Sequence, residues 1–225
     1  MQLSVVVPAL DEAGQIAATL ASARGPLVAE VIVVDGGSAD DTAALARGAG
    51  ATVLAAARGR ARQMNAGAAA ATGEVLLFLH ADTRLPPGFD TAVADALADD
   101  AVVGGRFDLR LEPATLFLDL TAALINLRSR LTGIATGDQA LFVRRHVFAA
   151  LGGFEDIPLM EDVAFTRALR RRGRIACLRA RVVTSSRRWL HHGSVRTVLL
   201  MWWLRLLFWW GVPADQLKRR YADTR

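Results

Sequence analysis

The sequence predicts an α/β fold with a mostly parallel central sheet, and two observations lead to it. Through the first hundred residues, short β-branched runs alternate with segments of helical period, the pattern of strand–helix–strand units. The runs are apolar at consecutive positions, as in strands covered on both faces.

The elements follow in order. Leu3 to Val7 is a strand stopped by Pro8, and the segment opened by Asp11 and Glu12 places Ile16, Leu20 and Ala23 at helical spacing. Val31 to Val34 is a second strand, Asp35 to Asp40 a polar loop, Asp41 to Ala49 an alanine-rich helix, and Val53 to Ala55 a third strand. A helix over Arg62 to Ala71 ends at Gly73, and the strand Val75 to Leu79 delivers His80, Ala81 and Asp82 into a loop. Beyond residue 100 the pattern is mixed: a strand from Val102 to Leu109, a helix from Thr115 to Leu131, a strand over Gln139 to Val143 and a helix from Val163 to Arg172. Two short strands, Ile175 to Leu178 and Arg181 to Ser185, then precede an apolar stretch from Val195 to Val212.

In parallel sheets ligands bind beyond the carboxyl ends of the strands. Asp11 and Glu12, Asp35 and Ser38, and His80 and Asp82 all fall at such ends, so they are expected to converge on one cleft.

Composition narrows the class. At 225 residues and 52% hydrophobic, with no linker or repeat, the chain has material for one continuous core. The net charge of +5 comes almost wholly from arginine, and Lys218 is the one lysine. Zinc-finger spacing, a basic helix with heptads and RNA-binding aromatic motifs are all missing, so nucleic acid is not the expected partner. Cys177 is the single cysteine, which excludes an internal disulfide and permits a reducing compartment. Met1 to Pro8 lacks a basic leader and a cleavage site, so a cytoplasmic location is expected. The stretch 195–212 mixes four tryptophans with Arg196 and Arg205. It is too short and too charged for a comfortable span; an interfacial helix at the inner membrane face and a buried or dimer-forming helix both remain open.

Several residue types suit phosphate and sugar chemistry. Divalent Mg²⁺ or Mn²⁺ takes oxygen ligands, often one or two carboxylates with substrate phosphates completing the shell, and Asp82 at the end of an apolar strand suits that use.

The run Val5 to Glu12, the run Val33 to Thr42, Asn65-Ala66-Gly67 followed by Gly73 to Asp82, and Gly152-Gly153-Phe154 with Glu161-Asp162 resemble, in order, the signatures of family 2 glycosyltransferases. The resemblance covers roughly residues 3 to 190. It implies a GT-A fold, a nucleotide-diphosphate sugar as donor (usually UDP-linked), a divalent metal and inversion at the anomeric carbon. It also implies that Pro8, Leu10, Glu12 and Asp35 line the base and ribose pocket, with Ser38, Asn65 and Ala81 as further donor-binding residues, that Asp82 holds the metal, and that Asp162 is the general base with Glu161 as helper. His80 stands where the family's metal motif begins with an acid; histidine ligates Mn²⁺ or hydrogen-bonds phosphate. The acidic pair also suits the start of the helix that follows it.

Arg62, ahead of Arg60, is the expected guanidinium for the diphosphate. Asp138 and Gln139 suit acceptor hydroxyls, while Arg187, Arg188 and Trp189 combine phosphate-binding arginines with a stacking face; His191 and His192 follow as weaker metal or diphosphate contacts. The chain is also similar to a small bacterial subgroup of transferases associated with radical-SAM and selenium-related genes. On this reading residues 1–100 bind the nucleotide sugar, 101–190 the acceptor, lipid-linked or small and hydrophilic, and 191–225 form a helical extension. A nucleotidyltransferase would open with a glycine-rich basic loop after the first strand, which Pro8 to Gln15 is not. An inactive nucleotide-sugar-binding scaffold is the other alternative, with His80 its best support.

Overall fold

The computed structural model describes residues 1–187 and 193–222. Its spine is an eight-stranded sheet in the order β3-β2-β1-β4-β7-β6-β8-β5. β1 (Leu3–Ala9), β2 (Val28–Asp35), β3 (Thr52–Ala55) and β4 (Val75–Phe78) form a parallel block. β6 (Val102–Glu112) and β8 (Arg174–Ser185) run the same way, and only β7 (Leu141–Arg144) and β5 (Thr83–Arg84) oppose the rest. The sheet is thus mostly parallel, as the alternating pattern predicts.

Consecutive apolar residues in β1 are explained by two cores. Val5 and Val7 face one side with Ile16 and Leu20 of α1 (Ile16–Ser22), Ala46 of α2 (Thr42–Gly48), Phe89 and Val93 of α4 (Phe89–Ala96) and Leu118 and Ile125 of α5 (Leu116–Thr132). Val6 faces the other with Met64 of α3 (Arg60–Ala70), Phe148 of α6 (Arg145–Ala150) and Phe165 of α7 (Glu161–Leu169). Fully burying each such side chain contributes roughly 1.5–3 kcal/mol. α3 lies close on β1 because Gly67 has no side chain: a Cβ there would stand 2.4 Å from Val6 Cγ1.

Two helices lie outside the sequence expectations, α4 and α6, while the C-terminal α9 (Ala214–Ala222) falls within the expected helical extension. The two strands expected over 175–185 are one, β8, whose register slips opposite Phe107 and Asp108 so that Arg179 and Ala180 go unpaired. That bulge is what divides the run in the sequence. Gln139 is not in a strand; it closes a 3-10 turn (Gly137–Gln139) before β7. α8 (Ser194–Trp209) and α9 pack on each other through Leu204, Leu207 and Leu217 and against Met160.

Candidate active site

The carboxyl ends of β1 and β2 carry a self-bonded polar loop pair. Asp11, at φ 54°, accepts from the Ala39 amide at 2.7 Å, and its own amide donates to Ser38 Oγ at 3.0 Å. Asp35 accepts from the Ser38 hydroxyl and from the Gly37 and Ser38 amides. Asp40 accepts from the Ala13 amide and from Thr42, whose hydroxyl is the main cause holding the Asp40 carboxyl below its usual range. Beneath them, buried Gln63 donates from Nε2 to the carbonyls of Ala9 and Val34, both at 2.8 Å, tying the two strand ends together. A non-glycine residue with positive φ costs of order 1–3 kcal/mol, and the three here, Asp11, Ala140 and Met160, all flank the polar loops at this end of the sheet.

A cavity of about 160 Å³ opens beyond β4 and is lined by Arg60, His80, Asp82, Asp138, Glu161 and Asp162, with Trp202 and Arg205 reaching in from α8. Asp82 also lines a second cavity of about 240 Å³, shared with Gln15, Arg84, Glu112 and Arg187. Arg187 lies 3.7 Å from the Glu12 carboxylate, which links the first loop to this second cavity.

Gly137 organises the first cavity. Its amide donates to Asp162 Oδ2 at 2.6 Å, while a Cβ on it would stand 2.4 Å from His80 Nε2. One glycine therefore separates the imidazole after β4 from the carboxylate that begins α7. The Val163 amide donates to Asp162 Oδ1 at 2.7 Å, so both oxygens are oriented. Each keeps a lone pair for a further donor. Thr166 Oγ1 bonds with Ala135 at 3.3 Å and fastens the 135–137 segment to α7.

Glu161 is 3% exposed. Burial, then the neighbouring Asp162 charge, pushes its carboxyl up to about 7, against the opposing pull of Arg60, whose Nη1 lies 3.6 Å from Oε1. Burial likewise raises Asp138, whose Oδ1 has no hydrogen-bond partner among the described residues.

Several expected donor contacts are placed elsewhere. Arg62 turns away to a two-oxygen contact with Asp156 at 2.8 and 2.9 Å, and Arg60 lines the cavity instead. Asn65 clamps the glycine-rich loop: Nδ2 donates to the Phe154 carbonyl at 2.8 Å and Oδ1 accepts from its amide at 2.9 Å. Ala81 is buried, with its carbonyl accepting from Thr19 Oγ1. Gln139 is fully buried, donating to Ser129 Oγ and accepting from the Thr136 amide, so its amide is spent on α5 and its own turn. Pro8, Leu10, Asp35 and Ser38 share the sheet end without lining either cavity. Arg188, Trp189, His191 and His192 lie outside the described residues. Gly137, Trp202 and Arg205 were not singled out for this cavity from the sequence, and Arg60 stood behind Arg62; an arginine inside the apolar 195–212 run was the available signal.

The description "Glycosyl transferase family 2" matches residues 4–152, more than half of the chain. The chain belongs to glycosyl transferase family 2. Compared with curated protein sequences, this glycosyltransferase matches none. Among solved structures it is similar to glucosyl-3-phosphoglycerate synthase from Mycobacterium tuberculosis in complex with Mn²⁺, UDP and glucosyl-3-phosphoglycerate, with 24% identity, a TM-score of 0.62 and coverage of 80% of this chain and 70% of that one. It is also similar to S. aureus TarS, with 18% identity, a TM-score of 0.66 and coverage of 88% of this chain but 39% of that one. At these identities the likeness establishes the fold, GT-A, with its mostly parallel sheet flanked by helices.

Proposed function

We propose that this glycosyltransferase moves a sugar, with inversion, from a UDP-linked donor to an acceptor hydroxyl, with Asp82 and His80 on the metal side and Asp162 as general base. The observation that carries the reading is Gly137, which holds the His80 ring and the Asp162 carboxylate on its two sides at the mouth of one cavity. As the hydroxyl oxygen bonds to the anomeric carbon from the face opposite the diphosphate, its proton passes to Asp162. The bond from that carbon to the diphosphate oxygen breaks, and the nucleoside diphosphate leaves. Glu161, buried beside Asp162 and part-protonated near neutrality, is the helper.

No group of three or more His, Cys, Asp or Glu side chains comes together among the described residues, so the protein offers no closed metal cage there. Mg²⁺ and Mn²⁺ sites in phosphate enzymes commonly need only one or two side chains with phosphate oxygens completing the shell, and Asp82, facing both cavities, fits that role with His80 beside it. Such a cation would offset charge on the departing diphosphate. The M. tuberculosis synthase, with its Mn²⁺ and UDP, supports the choice of donor and metal. In this division residues 1–100 serve the donor and 101–190 the acceptor, within one domain closed by the helical extension 191–225. The test is Asp162→Asn: transfer should fall by about 10²–10⁴-fold while UDP binding, read by calorimetry, is unchanged. Near-normal transfer would rule out the base assignment.

The site of action proposed is the inner membrane surface. No helix among the described residues is long and apolar enough to cross a membrane. Yet α5 and α8, which wall the cavity, expose Leu120, Leu127, Leu131, Trp203 and Trp209, Trp210 is exposed just after α8, and α9 exposes Lys218 and Arg219. Exposed tryptophans beside cations suit an anionic headgroup layer. Replacing Trp203, Trp209 and Trp210 by Ser should abolish sedimentation with phosphatidylglycerol vesicles. Unchanged sedimentation, or a wild-type dimer that the same changes dissociate, would assign the face to another use.

A further inference from the structure

On α8, Thr197, Val198, Met201, Trp202 and Arg205 follow the spacing of one helix face, and all line the cavity that holds Asp162. On α5, Ile125 lines it too, and Arg128 lies one turn further along the same face. Arg205 thus lines the cavity, and Arg128, one turn behind its wall, is close enough for the Arg205 charge to act on it. Nε and Nη2 of Arg128 and Nε of Arg205 are buried with no hydrogen-bond partner among the described residues. Arg128 spends Nη1 on the Ile134 carbonyl at 3.2 Å. Neither group makes an ion pair with a described carboxylate, whereas the neighbouring buried Arg106 is paired with Asp108.

Buried charge is costly unless it is paired, and two like charges side by side are costlier. Burial and then the Arg205 charge bring the Arg128 pKa down to about 10, with Asp138 and Asp162 opposing. Asp138 is itself buried, which raises its carboxyl, while the Arg205 and Arg128 charges pull it the other way. The protein thus keeps two cations with three unpartnered buried nitrogens near the general base, and no described carboxylate forms an ion pair with either.

We propose that Arg128 and Arg205 form a phosphate-binding subsite, so that the acceptor is a phosphorylated molecule. A phosphate monoester carries about 1.5 to 2 negative charges and several acceptor oxygens, which matches two guanidiniums better than a single carboxylate does. The phosphate is a recognition handle; the reacting hydroxyl is the oxygen that faces Asp162. The inference rests on reading this cavity as the acceptor site. The donor diphosphate is assigned to the Asp82 side, away from the α5–α8 wall.

The test is calorimetry on the full chain with three probes: UDP with Mn²⁺, glycerol phosphate, and a polyprenyl phosphate in detergent micelles. Wild-type protein should bind UDP and at least one phosphate probe, and both together. Arg205→Gln and Arg128→Gln should each weaken the phosphate probe by about tenfold or more, as expected for a lost charged hydrogen bond, and leave UDP affinity unchanged. Because each substitution removes an unpaired buried cation, thermal stability should hold or rise without ligand. Tighter binding of the micellar probe would assign a lipid-borne phosphate, and equal or tighter binding of glycerol phosphate a soluble one. If UDP binds but neither phosphate probe does, or if the arginine changes weaken UDP instead, the subsite is wrong and the glycosyltransferase reading stands. If phosphate binds and UDP does not, the donor reading fails while the subsite holds.

Discussion

Replacing Glu161 by Gln should make the stability of this protein less sensitive to pH. The carboxyl is 3% exposed, and burial followed by the Asp162 charge lifts it from 4.5 to about 7. Between those values the folded state holds a proton that the unfolded chain has lost, so stability falls as pH rises through the window and levels off above it. At about 1.4 kcal/mol per pH unit, the full loss is about 3 kcal/mol, most of it between pH 5 and pH 8. Gln has nearly the same shape and carries no charge at either pH. Urea unfolding at pH 5 and pH 8 should therefore show the wild-type protein losing about 2–3 kcal/mol more than Glu161→Gln over that interval. Equal losses would mean that Arg60, at 3.6 Å, already neutralises the carboxylate and that Glu161 is an ordinary ion-paired acid.

Gly137→Ala should lower transfer by tenfold or more, since the new Cβ would fall 2.4 Å from His80 Nε2; adding His80→Ala should relieve the clash, so a cycle of rates with no coupling would refute the contact. Asn65→Ala should cost about 1–3 kcal/mol in urea unfolding by leaving the Phe154 amide and carbonyl without their partner. UDP affinity should be little changed; a large loss of UDP binding at unchanged stability would return Asn65 to the donor site.

Much of the fold is legible in the sequence because the parallel strands are buried on both faces, and such strands read as unbroken apolar runs. α4 escaped because it is short, although Phe89, Val93 and Leu97 keep a helical spacing and are all buried. The bulge at Arg179 and Ala180 made one strand look like two. Within the site, Asp82, Asp138, Glu161, Asp162 and His80 were legible because each closes or opens an element beside the cavity. The choice between Arg60 and Arg62 was not, since it depends on helix phase. α3 begins at Arg60, and residues two apart point about 200° apart around a helix, so only one of them can face Glu161. Asn65 and Gln139 carry side chains suited to ligands, but their amides are taken up by loop backbone and buried neighbours. Trp202 and Arg205 enter from a helix more than a hundred residues along the chain from His80, and no local pattern announces such a return.

The central claim is a metal-dependent nucleotide-sugar site centred on Asp82. Its most direct test is calorimetric titration of UDP into the wild-type protein and Asp82→Ala, each with and without Mn²⁺. The account predicts binding that Mn²⁺ strengthens in the wild-type protein and a variant in which Mn²⁺ has no effect. Equal strengthening by Mn²⁺ in both proteins, or no UDP binding to the wild-type chain under any condition, would contradict it.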